Sequence, residues 1–438
     1  MRGQEFEHRR TTFLQERSLS TAGAKVHRPP RSSVPGYPFA PAGFILSIVV
    51  LMREHCCFGI YSPLNLRPES RSRLMEVNQV NPAIAFSPIE AERYKSMPDL
   101  TLKTIKGNKY LYLRDKVRVN SKSLPIQIYI GRLEKVSRED LSPKLSGLRT
   151  LRLRTYLDYR LEHYSFTALT KPQALDLETL RYLYGLFKEF YPDESERYVD
   201  ALYLRYVQGT TAIEGNTISL REAQELLEHN ISPAGKKMDE VYEFLNFINL
   251  RRYLEGYSGD VTEKLLRKIH EILMSEVLRN PGGYRNIQVG IEQVDYAPPP
   301  AILVPEEMRA LIGWYRQNKG HLNPFELAIL LHTQFEMIHP FVDGNGRVGR
   351  ALMNLVLDRA GYPTLYLGLE HRSTYLNALV KADDGDYRPI IETLYAIYRE
   401  QHGRIAEEVR QKLSGGNSRI EEENARIVRQ FARLKKKA

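Results

Sequence analysis

Cysteine is nearly missing from this chain: Cys56 and Cys57 are the only two in 438 residues. The segment that follows them has none, which excludes a disulfide-stapled scaffold and makes a reducing cytoplasm the default compartment. Long apolar runs are missing too. Gly43-Phe-Ile-Leu-Ser-Ile-Val-Val-Leu-Met52 is the one strongly apolar stretch, and Arg53-Glu54-His55 closes it. It is shorter than the roughly 20 residues that span a bilayer and lies too far in for an ordinary signal sequence. No membrane role is expected. No internal repeat is apparent, so repeat architectures drop out. Acidic residues are sparse at the start: residues 1–74 carry eleven Lys and Arg against five Glu, which is +6 of the formal +10. The basic balance is therefore largely a tail property, and it argues only weakly for a nucleic-acid partner.

What is present is concentrated in one run. Residues 339 to 350 read His-Pro-Phe-Val-Asp-Gly-Asn-Gly-Arg-Val-Gly-Arg. Before them, Pro324 to Ile338 has apolar residues at helical spacing, with Asn323 as N-cap and proline in the first turn. After them, Val348, Ala351, Leu352, Leu355 and Val356 resume the periodicity, so the run is a loop between two helices. Gly344 and Gly346, with Asp343 and Asn345, favour turns and permit positive φ. The amides of such a turn and of the next helix start form a concave anion site. Arg347 and Arg350, three apart, add guanidinium forks suited to phosphate oxygens, and a di- or triphosphate is the natural occupant. His339 is neutral enough near pH 7 to take a proton from a hydroxyl that then attacks phosphorus. Asp343 suits Mg²⁺, which takes few protein carboxylates and keeps its other positions for phosphate and water.

The run resembles the signature of the Fic (Fido) family, HPFx(D/E)GNGRxxR, at every specified position. That resemblance implies a mainly α fold, a Fic-type helical bundle with a short β-hairpin flap, and transfer of AMP from ATP to a protein hydroxyl. It makes His339 the general base and Asp343 the Mg²⁺ ligand. Gly344, Asn345 and Gly346 become the phosphate cradle, Arg347 and Arg350 the triphosphate clamps, and Val348 and Gly349 are counted with them as nucleotide-binding. Gly283 to Val294, then Tyr296-Ala-Pro-Pro-Pro300, is similar to the family's flap, where Ile291, Glu292, Gln293 and Val294 are expected at the nucleotide. Alternating Ile287, Val289 and Ile291 read independently as an exposed hairpin, along which an extended protein substrate can dock by main-chain hydrogen bonds.

Gln208 to Ser219 resembles the family's inhibitory motif (S/T)xxxE(G/N), here Thr210, Glu214 and Gly215. Its implied role is a carboxylate that pairs with Arg350 and takes the γ-phosphate clamp; some members also use this glutamate to remove AMP. His371 to Pro389 is similar to the segment that encloses adenosine. Tyr375 matches one aromatic, but Leu376 and Asp383 stand where Tyr and Asn often occur, which opens either a differently built base pocket or another nucleotide. Read without the family, Tyr375 and Leu379 are core residues at helical spacing.

The remaining sequence gives organisation. Residues 1–74 read as a disordered basic extension, with Met75 an alternative start. Residues 75–136 read as a small antiparallel β-meander (109–113, 116–119 and 126–131), residues 137–258 as a helical region holding the inhibitory segment 208–219, 259–401 as the Fic core, and 402–438 as a charged helical tail suited to a partner or homodimer. Ser219-Leu-Arg-Glu222 is a capping-box start. The meander's Lys, Arg and Tyr are read as a solvated face of a half-buried sheet. The leading expectation is a protein adenylyltransferase using ATP and Mg²⁺ on a Ser, Thr or Tyr of a protein. The competitor is a nucleotide-sensing regulator that binds DNA or protein.

Overall fold

The computed structural model describes residues 98–120, 122–229, 231–290, 296–414 and 418–437. The basic extension 1–74 and the alternative start at Met75 lie outside these residues.

Strands β1 (Asp99–Ile105), β2 (Asn108–Val119) and β3 (Lys122–Arg132) form an antiparallel sheet in that order. Lys106 and Gly107 join β1 to β2 with φ of 49° and 78°, the two-residue turn whose twist matches its strands. Arg114-Asp115, expected as a break between two strands, instead continues β2. Both charges obey the period-2 alternation. Arg114 points out, while Asp115 points in, where Arg152 of the next helix lies 3.9 Å away. The strand β1 was not resolved as a separate element in the sequence.

Helix α1 (Leu141–His163) packs Leu141, Leu145 and Leu148 onto the sheet's inner face, where Leu111, Leu113, Val117, Val119, Ile126 and Ile130 are buried. The bundle follows as α2 (Lys171–Phe190), α3 (Pro192–Ile213), α4 (Leu220–His229), α5 (Met238–Glu255), α6 (Glu263–Leu273), α7 (Val304–Asn318), α8 (Pro324–Ile338), α9 (Asn345–Arg359), α10 (Arg372–Asp383), α11 (Arg388–Ser414) and α12 (Ser418–Lys437). Asn323 caps α8 by accepting from the Phe325 amide, and Ser219 and Glu222 make the expected capping box. Helix α8 is buried on nearly every side and pairs with α9, the all-round apolar pattern of a central helix.

One buried polar group locks the frame. Arg160 of α1 donates to Glu178 of α2 at 2.8 and 3.1 Å, and Asn323 and Tyr362 donate to the same carboxylate at 2.6 and 2.7 Å. Helix α12, read as a partner helix or free tail, returns to the sheet: Arg149 of α1 donates to Glu423 at 3.0 Å and Asn424 at 2.9 Å, and the Leu100 amide donates to Gln430 at 3.2 Å. Among the described residues no helix is long and apolar enough to cross a membrane.

Candidate active site

The loop between α8 and α9 is a sharp, internally pinned turn. Helix α8 ends at His339, held left-handed at φ 49° and ψ 61°, a costly conformation for a residue with a Cβ. Asn345 then clamps the turn from within: the Phe341 amide donates to its Oδ1 and its Nδ2 donates to the Phe341 carbonyl, both at 2.9 Å. Gly344 starts α9 with φ 80°, where a Cβ would also press into Met274. The amides of Asn345, Gly346 and Arg347 have no partner within the helix, as at any helix start. They are the amides at which the sequence places an anion.

Arg350, 3% exposed, points along α9 to the end of α3. Its Nε donates to Thr210 Oγ1 at 2.7 Å, and its Nη2 donates to the Thr210 carbonyl at 3.0 Å and to Glu214 Oε1 at 2.6 Å. Burial pushes the Glu214 carboxyl up, but Arg350 outweighs it by charge and hydrogen bond and holds the group below the usual carboxylate range. The carboxylate rests directly against Gly346, where a Cβ would collide with it. An acidic group thus packs against the first turn of α9.

Arg347 takes other partners. It donates to Glu243 of α5 and, at 3.2 Å, to Asp343. Glu243 also accepts from Asn216 at 3.0 Å, so one carboxylate joins the loop after α3 to the first turn of α9. Asp343 is the exposed acid of the site, its side chain 52% accessible. Among the described residues no group of three or more His, Cys, Asp and Glu gathers to cage a metal. A single open carboxylate beside a phosphate-shaped turn fits Mg²⁺ bound mainly through a ligand's own oxygens.

His339 Nδ1 lies 3.3 Å from the Glu336 carbonyl, which accepts its proton and leaves the Nε2 lone pair free. Burial and the nearby Arg285 cation lower its pKa from the ordinary histidine value, while Glu214 and Asp343 oppose that. The balance favours the neutral form of the ring. Behind it, His332 and Glu336 sit one turn apart with Nδ1 and Oε1 separated by 3.7 Å, and neither atom has a hydrogen-bond partner. Burial pushes Glu336 up to about 8 and His332 down to about 3.

Two further residues hold the site in place and had no role assigned from sequence. Arg285, 3% exposed, donates from Nε to the His339 carbonyl at 2.7 Å, from Nη1 to Ile287 at 3.2 Å and from Nη2 to Pro299 at 2.5 Å, while its amide donates to Pro340. His270 of α6 stacks on Phe341 at 3.8 Å, accepts from the Gly282 amide at 2.8 Å and lies 3.0 Å from the Asp343 carbonyl. Glu243 leaves no local signal in the sequence. His332 and Glu336 do, as ionisable residues four apart on a largely apolar helix.

The other expected residues are partly buried around the loop and partly outside the described residues. Residues 284–290 of the expected flap carry no strand, and Ile291, Glu292, Gln293 and Val294 lie outside the described residues. The arms are tied by Arg285 and by Gln288, which donates to Pro298 at 3.0 Å; Pro298 to Pro300 have no amide to give a ladder. Tyr375 is 1% exposed, with its hydroxyl 2.8 Å from His332, the core position that helical spacing alone suggested. Leu376 is half-buried. Val348 and Gly349 are buried in α9.

Residues 260–357 match the model of the Fic/DOC family. Among curated proteins, the chain is similar to Protein adenylyltransferase Fic of Culex quinquefasciatus, 33% identical over 195 residues that make up 43% of this chain and 39% of that protein. It is similar to Protein adenylyltransferase fic-1 of Caenorhabditis elegans, 30% identical over 229 residues, 50% of this chain and 45% of that one. The chain thus spans less than half the length of these relatives. A solved Fic domain containing signaling protein from Bacteroides thetaiotaomicron overlays 54% of this chain and 97% of its own length with a TM-score of 0.50 at 24% identity, a likeness of fold.

Proposed function

We propose that this chain, whose residues 260–357 match the Fic/DOC family, is a protein adenylyltransferase restrained by its own Glu214. The observation that carries the reading is the Arg350–Glu214 pair at 2.6 Å, with the carboxylate packed against Gly346. A cradle of helix-start amides and a buried arginine suits a terminal phosphate, and here a carboxylate of the same chain fills that role.

In the working state ATP lies along the 343–350 loop, and its γ-phosphate takes the Arg350 fork that Glu214 vacates. Asp343 would hold Mg²⁺, which when bound neutralises charge on the phosphate oxygens. A Ser, Thr or Tyr hydroxyl of a protein substrate, held along the 284–300 segment, gives its proton to His339 Nε2. The freed oxygen attacks the α-phosphorus, the bond from that phosphorus to the bridging oxygen breaks, and pyrophosphate leaves. The loop amides and Arg347 meet the charge that develops. Since Arg347 is shared with Glu243, this step also involves α5.

The test is label transfer from α-³²P-ATP with Mg²⁺ to protein, the chain itself included. Little label is expected with wild type, a rise of at least about tenfold with Glu214→Gly, since ångström-scale misplacement of a phosphate removes that much rate, and none with Glu214→Gly/His339→Ala. ATP bound normally by all three with no label on any protein would overturn the reading. The ionised state of Glu214 supports a second reading, in which it activates water to remove AMP. Release of AMP from pre-labelled protein by wild type, lost in Glu214→Gln, is its signature.

A further inference from the structure

The solvent face of the three-stranded sheet has a composition that a merely solvated face does not need. The cross-strand register sets Thr101, Tyr112 and Tyr129 in one row, and Lys103, Tyr110 and Arg132 in the next. The tyrosines gather at one end of the sheet. Tyr112 and Tyr129 have ring centroids 5.4 Å apart, Tyr110 and Tyr129 6.2 Å apart, and Tyr129 is 48% exposed. Lys103 Nζ stands 4.5 Å over the Tyr112 ring. Arg114, Lys116 and Arg118, all exposed, continue along the same face of β2, over about 20 Å from Tyr112 at the usual rise per strand residue. Of the acids near this face, Asp99 stands opposite Arg114 in the register and accepts from Gln430 of α12, and Glu134 pairs with Arg132 at the rim. The face therefore joins an aromatic platform to a row of cations, of which Lys116 and Arg118 face the uncharged Pro125 and Ser123 across the strands.

We propose that this face binds single-stranded nucleic acid, with bases stacking on Tyr112 and Tyr129 and phosphates following Arg114, Lys116 and Arg118. Every base has a π-face, so tyrosine platforms bind strands with little regard to sequence, and lysine and arginine track the backbone. A duplex keeps its base faces stacked inside and gives the tyrosines nothing to cover. An acidic protein segment would use the cations but leave the rings idle. The site stands on the sheet alone and does not depend on AMP transfer.

The experiment is fluorescence anisotropy of the full chain with a labelled mixed-sequence 20-mer, as RNA and as DNA, single-stranded and duplex, between 50 and 300 mM salt. Single strands are expected to bind more tightly than duplex, with log affinity falling linearly in log salt. Tyr112→Leu/Tyr129→Leu keeps apolar bulk on the sheet and should weaken binding at least about tenfold at fixed salt with the slope unchanged. Arg114→Ala/Lys116→Ala/Arg118→Ala should reduce the slope by about 2, the single-strand value for three phosphates. All five side chains lie on the solvent face, so unchanged thermal melting of both variants is part of the expected result, and single-residue changes at Tyr129 and Lys116 repeat the comparison if either melts early. No binding at 50 mM salt, tighter duplex binding, indifference to both sets of substitutions, or displacement by polyglutamate more readily than by a second single strand would overturn the proposal.

Discussion

His339 and Glu336 share one turn of α8 and are shifted in opposite directions. Because burial lowers the His339 pKa, its lone pair stays available below the ordinary histidine range. The acid limb of AMP transfer by Glu214→Gly is expected to have its midpoint below about 6.5, the unperturbed value, and loss of Glu214 moves it further down, since that carboxylate favours the protonated ring. Initial rates between pH 5 and 8 check this; a midpoint above 7 would contradict it. Glu336 works through stability. With its carboxyl pushed up to about 8 by burial, the folded state keeps a proton that the unfolded state has released. Stability is therefore full below the ordinary glutamate value and declines as pH rises toward 8. Glu336→Gln should flatten that decline, seen as a smaller fall in Tm between pH 5 and 8 than in wild type.

At the scale of elements, the frame hangs on a carboxylate that four segments share. Glu178→Ala leaves Arg160 charged and buried without its partner, and removing one side of a buried pair costs about 3–5 kcal/mol. Urea unfolding followed by circular dichroism should show that loss with the slope unchanged. The sequence is informative about elements where the cause is local. Asn323-Pro324 and Ser219 to Glu222 announced helix starts because capping is settled within four residues. The 339–350 loop was legible because twelve consecutive residues build it. Glu214 was found only by resemblance, since 136 positions separate it from Arg350. Glu243 and Arg285 were missed because their partners are fixed by how α5 and the 284–300 segment dock, which no local pattern encodes. Arg114-Asp115 misled because a charged pair looks like a turn until α1 supplies Arg152.

At the scale of the molecule, the sheet is covered on its inner face by α1 and braced at β1 by α12. Deleting residues 415–438 should lower Tm by several degrees and speed hydrogen exchange at Asp99 to Ile105, while amides of α8 and α9 keep their protection; uniform loss of protection would mean that the bundle also depends on α12. The brace has an order in time. The Leu100 amide and Gln430 are 330 residues apart, and a ribosome adding about 5–20 residues per second needs tens of seconds to cross that gap. Through that interval β1 is made but unbraced, and its Leu100 amide has no acceptor from Gln430. A chain that stops before Ser418 therefore lacks Arg426 and Gln430, the side chains that cover the Pro98 to Leu100 end of the edge strand.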